Sequence, residues 1–384
     1  MYKQVYPDSP VSYRSYLQIF NTKYNIAFGY PRSDTCSTCD STKIELQAIE
    51  NNFVLSNGFK TKRLQEIKMA SELHQRRAQE FYTRKRGARL RSKTDEKFHA
   101  ITLDFSKNLC VPNITTNDVY YKRQLSVFLF NIHQLGSSES SFYLYDETVA
   151  KKGSCDVVSM IHDFILSQVP NSTDTFHVFC DSCGGQNKNY TVFRYYYYLV
   201  HIAKIFDTVK VTFPIRGHSY LECDRNFALV NDKAKVYIPS QWATEISQAR
   251  KKPSPFSVHL CSQDMFKDFN SFLAPLYKAK CPFAIQKVRE IQILRSKPRE
   301  ILHRDTYSGP WVSSIIVPPN QGGSQHLQLQ PLYTAPLPLS SEKYKDLQHL
   351  KQFVEEQHHS FFNCLPHGNM ENTDSVDDQE QYLP

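Results

Sequence analysis

Three aspartates near the ends of predicted strands have the residue type and the setting for chemistry. Asp104 lies in the apolar run "HAITLDF", Asp181 ends "FHVFCD", and Asp224 stands in "RGHSYLECDRNFALV", after the run "VKVTFPI". Clustered carboxylates repel one another unless a divalent cation neutralises them, and Mg²⁺ or Mn²⁺ prefers oxygen ligands of this kind. Two such ions, about 3.5–4 Å apart, activate a water or sugar hydroxyl and stabilise the leaving oxygen of a phosphodiester. Together the three aspartates predict metal-dependent phosphodiester cleavage or strand transfer.

Each aspartate also has a structural interpretation, because isolated strand-end aspartates commonly cap turns. Glu222 is a second candidate for the third acid. It stands two residues before Asp224, so on one helix the two side chains point in different directions and only one can face the site. Ser219 is expected to cap that helix and to place Asp224 in an early turn. A 3′–5′ exonuclease would need a further acid early in the first strand, and "HAITLDF" supplies only one.

A loop of small and amide residues, "DSCGGQNKN", begins at the second aspartate. Gly184 and Gly185 allow a sharp turn and the close approach of a phosphate, while Gln186 and Asn187 offer neutral hydrogen-bond donors to a nucleic-acid backbone. His218 in "RGHSY" is expected to donate to a phosphate or to a ligating carboxylate. The alternatives are a turn with a helix cap for the loop and a structural hydrogen bond for the histidine.

The order of the predicted elements indicates how the acids converge. Strands are predicted in "HAITLDF", "LSVFLFNIH" and "SSFYLYDET", then a helix in "DVVSMIHDFILSQV", the strand "FHVFCD", a helix in "NYTVFRYYYYLVHIAKIF" and the strand "VKVTFPI". This order is typical of a mixed α/β sheet covered by helices. In a ribonuclease H-like sheet the first and fourth strands are neighbours, which brings Asp104 and Asp181 together, and a helix after the fifth strand brings Asp224 alongside.

Four regions are predicted along the chain. Residues 1–97 form an N-terminal aromatic segment with a CxxC motif and long basic helices, and residues 98–245 form the α/β domain. Residues 246–316 are predicted to be a small basic β or α+β module. Residues 317–384 are predicted to comprise a Pro/Gln-rich linker, one helix and an acidic, disordered tail.

Positive charge is concentrated in the predicted long helices. The chain has 46 Lys/Arg and 38 Asp/Glu, a net charge of +8, and residues 41–97 hold 14 Lys/Arg against 7 Asp/Glu. Such a surface favours polyanions, so DNA is the expected partner, with a nuclear import signal and a solvated helix face as alternatives. The tyrosine run at residues 195–198 could stack on bases, but a helix between two strands buries half its surface, which favours the core. The predicted nucleic-acid-binding residues are Arg76, Arg77, Arg84, Lys85, Arg86, Arg89, Arg91 and Lys93.

Cys36 and Cys39 have the spacing of one half of a zinc site. His74, on the helix that follows, is the expected third ligand, and His99 or a residue upstream is the candidate for the fourth. A second CxxC at residues 180–183 is instead predicted to hold a buried thiol and a turn thiol, because an aspartate and the strand alternation interrupt the motif.

The sequence lacks the marks of export and of membrane insertion. It has no N-terminal apolar core of signal-peptide length and no uninterrupted apolar run of about 18 residues. The expected location is intracellular and nuclear. In that setting the ten cysteines are expected to be thiols or metal ligands.

Several motifs, in this order, resemble transposon-derived animal proteins grouped under a domain of unknown function: "DTCSTCD", "DFSKN", "YYKRQLSVFLFNIH", "YDETVAKKGSCDVVS", "DSCGGQNKN" and "RGHSYLECDRNFALV". The resemblance covers roughly residues 11–310. These proteins look like DDE transposases with a ribonuclease H-like core. The resemblance implies that Asp104, Asp181 and Asp224 are catalytic acids, with Mg²⁺ or Mn²⁺ as cofactor and DNA as partner, and it favours Asp224 over Glu222.

The same resemblance implies that Cys183, Gln186, Asn187 and His218 surround the acids. Many proteins of this kind are domesticated, so the alternative function is a catalytically inactive DNA-binding or protein-interaction factor. Association into a homo-oligomer is a further expectation.

Overall fold

A computed structural model describes residues 12, 15, 35–51, 56–319 and 328–368 of the 384-residue chain. The contacts between residues divide the chain into two compact units, Met1–Leu55 and Ser56–Pro384. In the first unit, helix α1 (Ser37–Glu50) carries Asp40 in its first turn, where the helix dipole favours a negative charge. All the other elements described below belong to the second unit.

Helix α2 (Asn57–Thr94) spans 38 residues rich in Lys, Arg, Glu, Gln and Ala, which are strong helix formers. The sequence predicts long helices in this stretch, and the structure describes two, one ending at Glu50 and one beginning at Asn57. Most of the buried apolar residues of α2 lie in its C-terminal half, Ala78, Phe81 and Ala88, while Ile67 is buried in the N-terminal half. Leu73, in the N-terminal half, is 50% exposed. Helix α2 therefore covers the sheet mainly through its last five turns.

Ten strands form the central sheet in the order β10-β9-β8-β6-β5-β1-β3-β4-β7, with β2 paired to β3. Strand β1 is antiparallel to β3 and β3 to β4, while β5 is parallel to both β1 and β6. This confirms the predicted mixed α/β sheet with flanking helices. The strands are β1 (Phe98–Phe105), β2 (Leu109–Val111), β3 (Leu125–Gln134), β4 (Ser140–Asp146), β5 (Thr175–Cys180), β6 (Thr208–Thr212), β7 (Ser257–Leu260), β8 (Glu290–Leu294), β9 (Glu300–Arg304) and β10 (Val312–Ile315).

Helices cover the sheet and its edges. None of the helices that the structure describes is long and apolar enough to cross a bilayer. The helices after α2 are α3 (Ser154–Gln168), α4 (Tyr190–His201), α5 (Glu222–Phe227), α6 (Pro239–Gln248), α7 (Phe269–Leu273), α8 (Ser341–Leu350) and α9 (His359–Asn363).

Buried residues alternate between the two faces of the central strands, so the sheet has a helix layer on each side. Ile101 and Leu103 of β1 belong to the largest apolar core, which α3 and α4 line. Phe98 and Ala100 of the same strand belong to a second core on the opposite face, shared with Phe81 of α2 and with α5. Side chains at alternate positions of β1 therefore face either α3 and α4 or α2 and α5.

The tyrosine run at residues 195–198 lies in the core. Tyr195, Tyr196 and Tyr197 are buried on α4, and Tyr198 packs against the same core from its edge, with its ring 5.5 Å from that of Phe272. The base-stacking interpretation of this run is wrong, because its rings are already packed inside the protein.

Strands β7 to β10 come from the stretch predicted as a separate basic module, residues 246–316. Strand β7 pairs with β4 and β8 pairs with β6, so both edges of the central sheet are extended by this stretch. Glu290 of β8 is fully buried and contacts Lys210 of β6 (Nζ–Oε1 2.9 Å), Arg304 of β9 and Arg84 of α2 (Nε–Oε1 3.8 Å). The stretch therefore continues the sheet instead of forming a module of its own.

The stretch predicted as a linker packs on the core where the structure describes it. Tyr333 donates its hydroxyl to Asp156 of α3 over 2.8 Å, and Leu332 contacts the largest core. Beyond it, the predicted helix is observed as α8, flanked by a two-stranded parallel pair, β11 (Leu339–Ser340) and β12 (His367–Gly368). The predicted disordered tail, from residue 369 onward, lies outside the described residues.

Candidate acidic site

The first two acids stand side by side on neighbouring parallel strands. Asp104 lies in β1, and Asp181 directly follows β5. The register pairs Leu103 with Cys180, so the two aspartates occupy the next position along each strand, where neighbouring backbones are about 4.8 Å apart. Leu103 and Cys180 both face the core lined by α3 and α4. Because successive side chains alternate between faces, Asp104 and Asp181 point to the opposite face, the one covered by α2 and α5.

Cys223 fixes helix α5 to this second face. Its Sγ lies 3.5 Å from Thr102 Oγ1 and 3.5 Å from the carbonyl oxygen of Asn131 in β3. Thr102 is two residues before Asp104 and shares its face, and Asn131 is the direct cross-strand partner of Asp104. The first turn of α5, which carries Asp224, is therefore docked next to the position of Asp104.

Asn226, one turn further along α5, adds a buried polar contact. Its Nδ2 donates to Asn131 Oδ1 over 2.8 Å and to Ser140 Oγ over 2.9 Å. All three residues are buried, and His133 Nδ1 lies 2.8 Å from the same Ser140 hydroxyl. Buried polar groups of this kind are expensive to leave unpaired. The network therefore sets the rotation of α5 and with it the direction of Asp224.

The two candidates for the third acid point in different directions, as predicted. Glu222 forms an ion pair with Lys85 of α2, with a Nζ–Oε2 distance of 2.9 Å. Asp224 is the one whose charge acts on Asp104 and Asp181. Asp224 Oδ2 also accepts the Leu221 N–H over 2.7 Å, so this aspartate caps its own helix. The expectation that Ser219 caps this helix is wrong, because the N-cap residue of α5 is Leu221, two residues further along the chain.

The acids raise one another's affinity for protons. Burial raises the pKa of Asp104 well above its ordinary value, and the charges of Asp181 and Asp224 raise it further. Burial also raises the pKa of Asp181, and Asp224 acts in the same direction. The Asp181 carboxylate is partly compensated, since it accepts hydrogen bonds from Asn187 Nδ2 (2.6 Å) and from the Cys183 N–H. The site therefore concentrates negative charge that a bound cation would stabilise.

Each of the three carboxylates is already held by a hydrogen bond within the protein. Among the described residues, they do not form a set whose ligand atoms all lie within 4.8 Å of one another. Asp104 Oδ1 accepts the Phe105 N–H over 2.8 Å, Asp181 Oδ1 accepts from Asn187 Nδ2, and Asp224 Oδ2 accepts the Leu221 N–H.

Two lysines flank the acids, and sequence reasoning missed both. Lys152 acts on Asp104 by lowering its pKa, and its Nζ donates to Asn108 Oδ1 over 2.6 Å. Lys188 acts in the same way on Asp181; its own pKa is lowered to about 8, first by burial and then by Arg289. Both stand in quoted motifs, "AKKG" and "GGQNKN". Nothing in these motifs indicates that Lys188 is buried or that Lys152 lies near Asp104.

The loop after Asp181 serves mainly to hold that acid and to begin α4. Asn187 is buried and donates to Asp181, and Asn189 caps α4 by accepting the Val192 N–H over 3.0 Å. Asn187 is therefore not placed to donate to a nucleic-acid backbone, as the sequence suggested, and the helix-cap alternative holds for Asn189. Gln186 remains partly exposed.

The two glycines of this loop do not require the left-handed conformation. A Cβ at Gly184 would meet Gln286 Nε2 at 3.3 Å, whereas one at Gly185 would meet nothing within 4 Å. Neither has a positive φ. The expected turn is present at residues 184–187 without a positive φ, and the open space beside Gly185 suits the close approach of another molecule.

His74 of α2, a predicted zinc ligand of the second unit, contacts His218 and not the expected His99. Its Nε2 lies 3.0 Å from His218 Nε2. The candidate fourth ligand His99 is stacked on Phe176 at the start of β1, and burial lowers its pKa to about 4. The partner of His74 is therefore His218, which the sequence had assigned to the acids.

In the first unit, the two predicted thiol ligands are close together. Cys36 is the residue before α1, and Cys39 lies in its first turn. Their Sγ atoms lie within 4.8 Å of each other. The described residues thus contain cysteine and histidine side chains of the kind that hold zinc.

The basic residues of α2 fall into two groups. Lys85 is buried and donates to the Tyr220 carbonyl (2.7 Å), and Arg84 donates to the Tyr307 carbonyl (2.6 Å). These two residues attach α2 to the rest of the unit, so their prediction as nucleic-acid ligands is corrected, because their charges are already used inside the protein. Arg89 is partly buried beside Ser138. The exposed members are Arg76, Arg77, Arg86, Arg91 and Lys93.

Two of the exposed arginines already form ion pairs with neighbouring carboxylates. Arg76 pairs with Glu72 (2.6 Å), and Arg91 pairs with Asp95 (2.9 Å). Exposed ion pairs of this kind are weak and exchange readily with other anions. The exposed side of α2 therefore retains a positively charged surface, although a smaller one than the sequence suggested.

Comparison with known protein families finds a match for one segment of this chain. Residues 125–287 match the model of a domain of unknown function (DUF7869). The match includes Asp181, Asp224 and both flanking lysines, and Asp104 lies before it. No curated protein matches the chain. The chain thus contains a segment similar to a family whose function is not established, and that segment carries two of the three acids.

Proposed function

We propose that this protein is a transposase-derived nucleic-acid-binding protein that cleaves or transfers phosphodiesters with Mg²⁺ or Mn²⁺ at Asp104, Asp181 and Asp224. The observation that carries the proposal is the pairing of Leu103 with Cys180, which sets two acids side by side on one face of the sheet. A third acid, on a helix docked to that face, raises the pKa of both. Perturbed acids gathered from distant segments are typical of functional sites.

The strand order supports a ribonuclease H-like core for this proposal. The central strands run β4-β3-β1-β5-β6, three antiparallel strands followed by two that are parallel to β1. This is the order expected from the sequence, with the short strand β2 added at the edge of β3. The first and fourth of the predicted strands are neighbours in it, which is what the chemistry of paired acids requires.

The chain's own residues would divide the work. A bound divalent ion would polarise the phosphodiester and lower the pKa of an attacking hydroxyl. Asp104, Asp181 and Asp224 would hold it through carboxylate oxygens, which suit Mg²⁺ and Mn²⁺. Asn187 fixes the orientation of Asp181, and Asn226 fixes the helix of Asp224. The donor set and its raised pKa values fit a divalent cation.

DNA is the partner that we propose for the same protein. The exposed arginines and lysine of α2 offer a positive surface, which suits the phosphate backbone. Nuclear localisation and homo-oligomer formation are parts of the same proposal, because they follow from the transposase-like character and not from a separate site.

A catalytically inactive DNA-binding or protein-interaction factor is the second candidate, and one observation favours it. Each of the three carboxylates already accepts a hydrogen bond from the protein, and Asp224 caps α5. A domesticated protein could keep the three acids for these structural contacts alone. The two functions differ in whether the acids are needed for turnover or only for folding.

A cleavage assay separates the two functions. Fluorescently labelled single-stranded and double-stranded DNA would be incubated with the full chain in Mg²⁺, in Mn²⁺ and in EDTA, and products would be resolved on denaturing gels. We expect metal-dependent products with the wild type and a loss of at least about 100-fold with Asp181→Asn. The matched control is Asp232→Asn, an exposed aspartate in the loop after α5, which should cleave as the wild type does.

Two results would contradict the catalytic proposal. One is the absence of metal-dependent products on every substrate while the protein still binds DNA. The other is equal cleavage by wild type and Asp181→Asn, which would indicate a contaminating nuclease. Either result would leave the inactive factor as the function that fits the molecule.

A further inference from the structure

A basic segment, residues 278–289, lies next to the loop that follows Asp181. Its sequence, "KAKCPFAIQKVR", holds three lysines, one arginine and no acidic residue. The three lysines, Lys278, Lys280 and Lys287, are exposed, and none of them forms an ion pair with a carboxylate that the structure describes. The basic segment therefore presents positive charge that no side chain of its own neutralises.

Two buried cations attach the basic segment to the loop and the helix that follow β5. Lys188 is buried in the loop between β5 and α4, and its Nζ donates to the Gln286 carbonyl over 2.9 Å. Arg194 is buried on α4, and its Nη2 donates to the carbonyls of Lys278 (2.6 Å) and Ala279 (3.1 Å). Because both cations bond to backbone oxygens and not to carboxylates, they fix the segment without reducing its positive charge.

Two further contacts hold the basic segment against the sheet. Phe283 stacks on His303 of β9 with the ring centroids 4.0 Å apart. Arg289 donates through Nη1 to the Pro214 carbonyl over 3.0 Å, and its own carbonyl accepts the Phe213 N–H over 2.9 Å. The backbone that carries the lysines is thus positioned before a partner binds, which reduces the ordering cost of association.

The basic segment reaches the acidic site through Gln286. Gly184 lies three residues after Asp181, and a Cβ at Gly184 would meet Gln286 Nε2 at 3.3 Å. Lys287 directly follows Gln286. A divalent ion at the acids would neutralise the phosphate that reacts, while the neighbouring phosphates of the strand need cationic side chains of their own. The basic segment supplies such side chains beside the loop of the second acid.

We propose that the basic segment binds the DNA backbone beside the acidic site, with Lys278, Lys280 and Lys287 contacting phosphates. The choice of DNA rests on the proposed function, and the surface consists of residues other than those of α2. Lysine binds a phosphate as a point charge, and a phosphate contact reads no base edge. Binding at the basic segment is therefore expected to be independent of base sequence and to weaken steeply with salt.

Fluorescence anisotropy of labelled DNA measures the contribution of these lysines. Binding to the full chain would be followed in EDTA over a range of salt concentrations, so that the result does not depend on cleavage. The triple variant Lys278→Ala, Lys280→Ala, Lys287→Ala should bind at least about tenfold more weakly, and its slope of log affinity against log salt should be smaller by about 3. Circular dichroism would confirm that this variant is folded. A control variant loses the same charge elsewhere and should keep the wild-type slope. It replaces three exposed lysines, Lys251→Ala, Lys297→Ala and Lys345→Ala.

Lysine acetylation of the wild type locates the surface without the need for a variant. Labelling with an acetyl ester of N-hydroxysuccinimide, followed by peptide mass spectrometry, would measure the rate at each lysine with and without DNA. DNA should slow the rates at Lys278, Lys280 and Lys287, because bound phosphates cover their amines. The rates at Lys297 and Lys345 should stay the same.

Failure of this surface is distinguishable from failure of the proposed function. Weaker DNA binding by the triple variant, together with no cleavage by the wild type in Mg²⁺ or Mn²⁺, would support the basic segment and contradict the phosphodiester chemistry. Wild-type affinity and slope in the folded triple variant would overturn the basic segment as a DNA surface, whatever the cleavage assay shows. Acetylation rates that DNA leaves unchanged at all three lysines would overturn it in the same way.

Discussion

Replacement of Asn226 by alanine tests how α5 is held on the sheet. The variant loses two buried hydrogen bonds, to Asn131 Oδ1 (2.8 Å) and to Ser140 Oγ (2.9 Å). Each contributes about 1 kcal/mol net to stability. Ser140 keeps its contact with His133 (2.8 Å), but Asn131 Oδ1 loses the partner described here, and an unpaired buried acceptor adds about 1–3 kcal/mol. The free energy of unfolding should therefore fall by about 3–5 kcal/mol.

Urea denaturation followed by fluorescence would measure this change. Asn231→Ala is the matched control, because that asparagine is exposed and accepts only a local hydrogen bond from the Lys233 N–H at 3.2 Å. It should change the free energy of unfolding by less than about 1 kcal/mol. A value for Asn226→Ala within about 0.5 kcal/mol of the wild type would refute the reasoning, since it would mean that the network does not hold α5.

Three further predictions follow from the charges. In EDTA, Asp104→Asn should be more stable than the wild type at neutral pH, because the pKa of Asp104 is raised in the folded state. The stability that protonated Asp104 gives the wild type is lost as the pH rises through the folded-state pKa. Urea titrations from pH 4 to 8 should therefore show the difference in the free energy of unfolding between the two proteins grow and then level off. The double variant Arg77→Ala, Arg86→Ala should weaken DNA binding and reduce the slope of log affinity against log salt by about 2, measured by fluorescence anisotropy, with the exposed Lys345→Ala as a control that leaves the slope unchanged. Glu290→Gln should lower the free energy of unfolding by about 3–5 kcal/mol in urea, because it leaves the partly buried cations of Lys210 and Arg304 without their counter-charge; a change below about 1 kcal/mol would show that solvent screens them.

The sequence predicted the sheet and the neighbourhood of the first two acids because both depend on local patterns. Alternating apolar residues before Asp104 and Asp181 identify strands that end at polar residues, and the intervening order of strands and helices limits how they can pair. The divergence of Glu222 and Asp224 was also predictable, because it depends only on helix geometry.

The features that sequence reasoning missed depend on contacts between distant residues. No local pattern links His74 to His218 or shows that Lys85 is buried against Tyr220. The sequence of residues 246–316 suits strands, but it does not show that β8 pairs with β6 of the central sheet. That pairing is decided by long-range packing. Asn226 gave no signal because an asparagine in a short polar segment is equally common on the surface.

Calorimetric titration of Mn²⁺ into the metal-free protein tests the central claim most directly, namely that Asp104, Asp181 and Asp224 serve one divalent-cation site. The wild type would be compared with three single variants in which each aspartate is replaced by asparagine, and with Asp232→Asn as the control. We predict that each of the three variants binds Mn²⁺ at least about tenfold more weakly, a change of about 1.4 kcal/mol, while the control binds as the wild type does. Equal affinity in the wild type and in all three variants would contradict the account.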